Sequence, residues 1–109
     1  MTPLEAFGLL DLRVGRIVRA EANASARKPA YKLWIDFGPL GVKTSSAQLT
    51  DLYTTDSLVD RPVIAAVDLG ERKIAGFTSE VLVLGLPDAK GNVVLLEPER
   101  DVPLGGRVY

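Results

Sequence analysis

The chain has 109 residues, 47% of them hydrophobic and 25% charged, with neither cysteine nor histidine. This is one globular domain's worth of chain with one core, and its 35 Leu, Ile, Val and Phe residues exclude intrinsic disorder. The missing residue types exclude zinc sites, disulfide frameworks and nucleophiles served by an imidazole base, while a net charge of −1 supplies no global field for nucleic acid.

The charge is uneven: residues 1–50 sum to +3 and residues 51–109 to −4, which leaves a local basic face open. Apolar runs reach only about six residues against the roughly 18 that cross a bilayer, and MTPLEAFGLLDL carries no basic segment before its apolar residues. The expectation is a cytoplasmic protein with no membrane insertion.

In chain order, Thr2 as N-cap, Pro3 at the first helical position and Glu5 in the first turn predict a short helix over residues 3–10, with Leu4, Phe7 and Leu10 on one side. From Leu12 to Ala20 the pattern alternates, and Gly15 breaks the period, so a strand with a bulge or bend at the glycine is expected. EANASARKP (21–29) reads as a loop. Residues 30–37 alternate again, with Tyr31, Leu33, Ile35 and Phe37 on one side and Lys32, Trp34 and Asp36 on the other. Gly38–Gly41 is a tight connection, and Val42–Ala47 returns as a third strand.

Between Ser45 and Leu58, Leu49, Leu52 and Tyr53 fall at helical spacing behind serine caps, with Thr54–Ser57 as the breaker. Residues 62–69 form a buried strand, Gly70–Lys73 a turn, and Ile74–Phe77 the next short segment. The run Val81–Leu86 pairs across Pro87–Asn92 with VVLLEP. Three strands, a short helix and further strands, about six in all, are the order of an oligonucleotide/oligosaccharide-binding (OB) barrel. An all-β five-stranded barrel with a short N-terminal helix and a short inter-strand helix is the expected fold, and a β-sandwich is the competitor.

Catalysis has little to stand on: the carboxylate pairs are tied to no nucleophile, no glycine-rich phosphate loop is present, and Ser45 and Ser46 suit helix capping better than attack with Lys43 as base. Binding has better candidates. Arg27, Lys28 and Lys32 cluster around the first connection, Lys43 lies on the third strand, and Arg72 and Lys73 precede Ile74; in such a barrel these segments can converge on one face. Trp34, near Tyr31, offers an aromatic surface, although seven aromatic residues make a thin platform for stacking single strands.

The segments DLRVGRI (11–17), ARKPAYKL (26–33), IDFG (35–38), KTSSAQ (43–48) and IAGFTSEVLVLG (74–85) resemble, in order and nearly end to end, the tRNA-binding domain family and, within it, the CsaA secretion chaperones. The resemblance implies a single OB domain over 1–109 whose extensions, 1–10 and 98–109, build a homodimer. It also implies an ATP-independent chaperone, needing no cofactor or metal, that holds unfolded or precursor polypeptides and meets the export machinery. Trp34, Phe37 and Phe77 would supply apolar contact and Arg27, Lys32, Lys43, Arg72 and Lys73 charge contact, although alternation also makes Phe37 a core candidate. Phe7, Leu10, Val102, Leu104 and Val108 are the interface candidates.

Other members of the family bind the outer corner of tRNA, which would use Arg13, Lys32, Lys43, Arg72, Lys73 and Ser79 here. Against that, Ser46-Ala47 stands where tRNA binders have Ser-Gly, and Ser79-Glu80-Val81 where they have serine followed by Gly-Met. A carboxylate at Glu80 would repel phosphate.

Overall fold

The computed structural model describes residues 1–109. Helix α1 (Pro3–Leu9) forms as its caps dictate: the Thr2 hydroxyl accepts the Glu5 N–H at 3.2 Å, and the Glu5 carboxylate accepts the Thr2 N–H at 3.1 Å. No residue of α1 is buried, so its apolar side faces away from the barrel.

Strand β1 (Leu12–Ala22) is long enough to serve two partners. Residues 12–16 pair with β4 (Pro62–Ala66) and residues 16–22 with β2 (Tyr31–Asp36), both antiparallel. The irregularity lies after Ile17 and not at Gly15: Ile17 faces Ile35, Arg19 faces Trp34, and Val18 is left without a partner. Gly15 has a packing duty instead, because a Cβ there would come within 2.6 Å of the Ile35 side chain and 2.7 Å of the Phe37 ring.

A 3-10 turn (Gly38–Leu40) leads into β3 (Val42–Ala47), which pairs with β2 along its whole length. The sheet order is β3-β2-β1-β4-β7, with β7 at Leu82–Val83. Closure comes from the Glu80 and Val81 N–H groups, which donate to the Thr44 carbonyl at 2.8 and 3.1 Å. This is the expected five-stranded OB barrel.

Two small hairpins decorate it and raise the strand count to nine. The first joins β5 (Arg72–Ile74) to β6 (Phe77–Ser79) through Ala75 and Gly76, whose φ values of +50° and +81° are those of a two-residue hairpin turn. The turn expected at Gly70–Lys73 therefore sits later, and Arg72 and Lys73 belong to a strand. The second joins β8 (Gly85–Pro87) to β9 (Val93–Leu95), so that the VLVLGL run serves two separate sheets.

The inter-strand helix is also displaced. Ser45 and Ser46 are strand residues, and α2 (Thr55–Leu58) starts where the breaker was expected. The reason is local: Thr54 accepts the Ser57 N–H at 3.1 Å and Ser57 accepts the Thr54 N–H at 2.9 Å, which caps one turn and no more. Ser45 faces the core, and its buried hydroxyl has no partner.

Ile17, Leu33, Ile35, Phe37, Leu58 and Val63 are fully enclosed at the centre. Burial of each such side chain favours folding by about 1.5–3 kcal/mol. Phe37 is thus core, as its alternation with Trp34 demands, and it is withdrawn from the apolar contact set. The chain end closes the remaining edge of β1: Gly105 and Val108 donate to the Val14 and Leu12 carbonyls, both at 2.8 Å, and Val14 donates to Gly106 at 3.0 Å. Leu104 and Val108 are half-buried in this way, whereas Val102 stays exposed. No helix is long and apolar enough to cross a membrane.

Candidate functional site

Asn23, only 5% exposed, organises the first connection. Its backbone N–H donates to Ala30, its side-chain carbonyl accepts the Ser25 N–H at 3.2 Å, and its amide reaches the Ile74 carbonyl at 3.4 Å. One polar side chain thereby ties the first connection to the β5–β6 hairpin. Between them, over the end of β3, opens a cleft of about 550 Å³ lined by Ser25, Arg27, Lys28, Ser46, Gln48 and Ile74.

Ser46 and Ile74 also line the next cleft, of about 300 Å³, whose other walls are Leu69, Arg72, Val81 and Leu82. Gly70 in turn connects that cleft with a third, of about 320 Å³, where Lys43 stands among Asp68, Glu71 and Glu80. The three form one groove along β3 and the β5–β6 hairpin.

Beside the groove, Trp34 and Phe77 pack edge to face with ring centroids 5.4 Å apart. Arg19 lies over the Trp34 ring at 4.4 Å, and the Lys32 ammonium lies 5.6 Å from the Phe77 centroid. Both rings are half-buried, so each presents part of its surface between cations. Arg19 reaches this position because the bulge at Val18 sets it opposite Trp34.

Several expected site residues therefore meet: Arg27, Lys32, Trp34, Arg72, Lys73 and Phe77 lie on or beside the groove, with Lys73 exposed on the hairpin opposite Thr78. Others do not join them. Lys43 sits at the far, acidic end. Arg13 is bound to Asp11 at 2.6 Å and to the Gly105 carbonyl at 3.0 Å, which makes it a fastener of the chain end and removes it from the phosphate set. Ser79 is buried with its hydroxyl accepting the Ser46 N–H at 2.9 Å, so it too is spent on the fold. Glu80 accepts from the Thr44 N–H at 3.1 Å and its hydroxyl at 2.9 Å, which fixes the carboxylate on the groove wall.

Arg19, Asn23 and Gln48 were not among the expected residues. Only Asn23 left a local trace, an Asn two residues before Ser25 in a polar loop, the pattern of a side-chain turn.

Residues 12–107 match the family described as "Putative tRNA binding domain". The chain belongs to that tRNA-binding domain family. Among solved structures, it superposes on the CsaA chaperone of Bacillus anthracis with a TM-score of 0.91 at 46% identity, covering 100% of this chain and 99% of that one. The CsaA chaperone protein of Picrophilus torridus gives 0.91 at 43% identity over 100% of both chains. The methionine–tRNA ligase of Thermococcus onnurineus is 36% identical over 104 residues, which is 95% of this chain and 14% of the ligase. The chain thus spans about a seventh of that enzyme, whereas it matches end to end both the CsaA chaperones and a MetRS-related protein of Pyrococcus horikoshii, the latter with a TM-score of 0.88 at 26% identity over 100% of this chain and 98% of that one. In this tRNA-binding domain the hairpin and the first connection flank a groove whose two ends differ in charge.

Proposed function

We propose that the chain is a non-catalytic, ATP-independent chaperone that holds unfolded or export-bound polypeptides in the cytoplasm, working as a homodimer through residues 1–10 and 98–109. The observation that carries the reading is the middle of the groove. Leu69 and Leu82, 53% and 52% exposed, stand with half-buried Ile74 along a cleft that the core residue Val81 also lines, a surface suited to apolar side chains of an extended client. The end-to-end likeness to CsaA supports it. Half-buried Trp34 and Phe77 add aromatic contact, and Arg27, Lys32, Arg72 and Lys73 add charge at the margin.

For the dimer, Leu4, Phe7, Leu9 and Leu10 of the N-terminal segment are exposed at 40–80%, and Val102 and Val108 border a shallow apolar cleft with Val14 and Ile64. Pairing across a two-fold axis would cover both. The test is suppression of aggregation of a chemically unfolded client without nucleotide. The native chain should suppress it at near-stoichiometric dimer, and Leu69→Asp/Leu82→Asp should lose most of that effect. Full suppression by the double variant would sink the reading.

A tRNA-binding module acting in trans is the second reading, favoured by the family and by the likeness to methionine–tRNA ligases along 95% of this chain. It would rest on Arg27, Lys32, Arg72 and Lys73, because Arg13 and Ser79 are engaged elsewhere.

A further inference from the structure

The groove has opposite charge at its two ends. Arg27 and Lys28 border the first cleft and no acidic residue lines it, whereas in the third, three carboxylates, Asp68, Glu71 and Glu80, face one lysine, Lys43. Between them lies the apolar stretch of Leu69, Ile74, Val81 and Leu82. Of the charges at the two ends, none enters an ion pair within 4.0 Å, although Arg13, Arg16, Arg19, Arg61, Arg100 and Arg107 all do elsewhere on the molecule. Asp68 accepts the Asp11 N–H at 3.1 Å and Glu80 is held by Thr44, so the charges left for a partner from outside are chiefly Glu71 at one end and Arg27 and Lys28 at the other.

The backbone beside the groove is already spent. The Thr44 carbonyl accepts from Glu80 and Val81, the Thr44 N–H donates to Glu80, and the Ser46 N–H donates to Ser79. A polypeptide in the groove therefore cannot add to β3 across Thr44 as a further strand, which leaves side chains to carry recognition on that wall. Lys43 and Gln48 are five positions apart on nearly extended backbone, roughly 16 Å at about 3.3 Å per residue. An extended client would place its end contacts about five positions apart.

We infer that the groove selects polypeptide segments of asymmetric charge: a basic side chain seated at Asp68 and Glu71, apolar side chains on the leucine-lined middle, and an acidic side chain or carboxylate at Arg27 and Lys28. This rests on the polypeptide reading above and adds the sequence class of the client. A polyphosphate chain meets repulsion at the third cleft, so the same asymmetry works against nucleic acid along the full groove. Glu80 holds β3 through Thr44, whereas Glu71 is exposed and free, so Glu71 is the residue to change.

The experiment titrates fluorescent decapeptides with one common apolar centre and four pairs of ends, Lys/Glu, Ser/Ser, Lys/Lys and Glu/Glu, against the full chain at low salt. The Lys/Glu peptide should bind tightest, by about two- to fivefold per matched end over Ser/Ser, the range of an exposed charge pair. Glu71→Lys should reverse the gain from the basic end and improve the Glu/Glu peptide. Arg27→Glu should do the opposite and improve the Lys/Lys peptide. Equal binding of all four peptides, or variants that shift all four alike, would overturn the charge asymmetry while leaving polypeptide binding in place. Failure of every peptide, Ser/Ser included, would overturn both.

Discussion

Gly15 and Ser45 show how single residues set the packing inside this barrel. A Cβ on Gly15 would press against Ile35 and Phe37, both fully buried, so Gly15→Ala should cost about 1–3 kcal/mol by overpacking. Urea unfolding checks it, and an unchanged midpoint would show that the core yields. Ser45 gives the opposite case: its buried hydroxyl has no partner, so Ser45→Ala should leave stability unchanged or raise it by up to about 1 kcal/mol. A clear loss in the same experiment would reveal a hydrogen bond at that site. Trp34 is an optical reporter placed beside the groove, and client binding should shift its emission in the native chain and less in Arg19→Ala, which frees one ring face.

At the scale of elements, alternation made the first two strands legible, because one residue's displacement moves a whole side-chain set from core to solvent. The third is legible from its tight connection, and its Ser45 and Ser46 lie in the strand where the sequence suggests helix caps. Alternation separated Phe37 from Trp34 correctly. What alternation could not carry was the bulge at Val18, the one-turn helix at Thr55–Leu58 and the break between β7 and β8, since each depends on a few specific hydrogen bonds. The groove was half legible: its cations were visible in sequence, but the carboxylates at its far end come from segments that meet only in the folded chain. The β8–β9 turn offers a test at this scale. Asp88 sits below the usual carboxylate range, first through the Asn92 backbone N–H at 2.9 Å, with the N–H of Lys90 also at 2.9 Å. Because the folded value is the lower one, the turn's contribution is complete above the unfolded carboxylate's pKa and fades as pH falls through the folded value. The stability gap between the native chain and Asp88→Asn should therefore close only below the ordinary carboxylate range, and a gap independent of pH would contradict it.

For the whole molecule, α1 is the feature that a lone barrel does not explain. It is well capped, yet it buries none of its residues. Covered by a second copy, it would join two grooves into one assembly, and two modest contacts on one client would reinforce each other through effective concentration. Phe7→Glu/Leu10→Glu should shift sedimentation from dimer to monomer and weaken long clients far more than decapeptides; an unchanged sedimentation profile would place the interface elsewhere. The most direct measurement sets a labelled unfolded polypeptide and bulk tRNA against the same protein at low and moderate salt. Apolar capture in the groove predicts polypeptide binding that survives the salt, with weak tRNA binding. Tight tRNA binding that displaces the polypeptide and collapses with salt, as counterion release requires, would contradict the account.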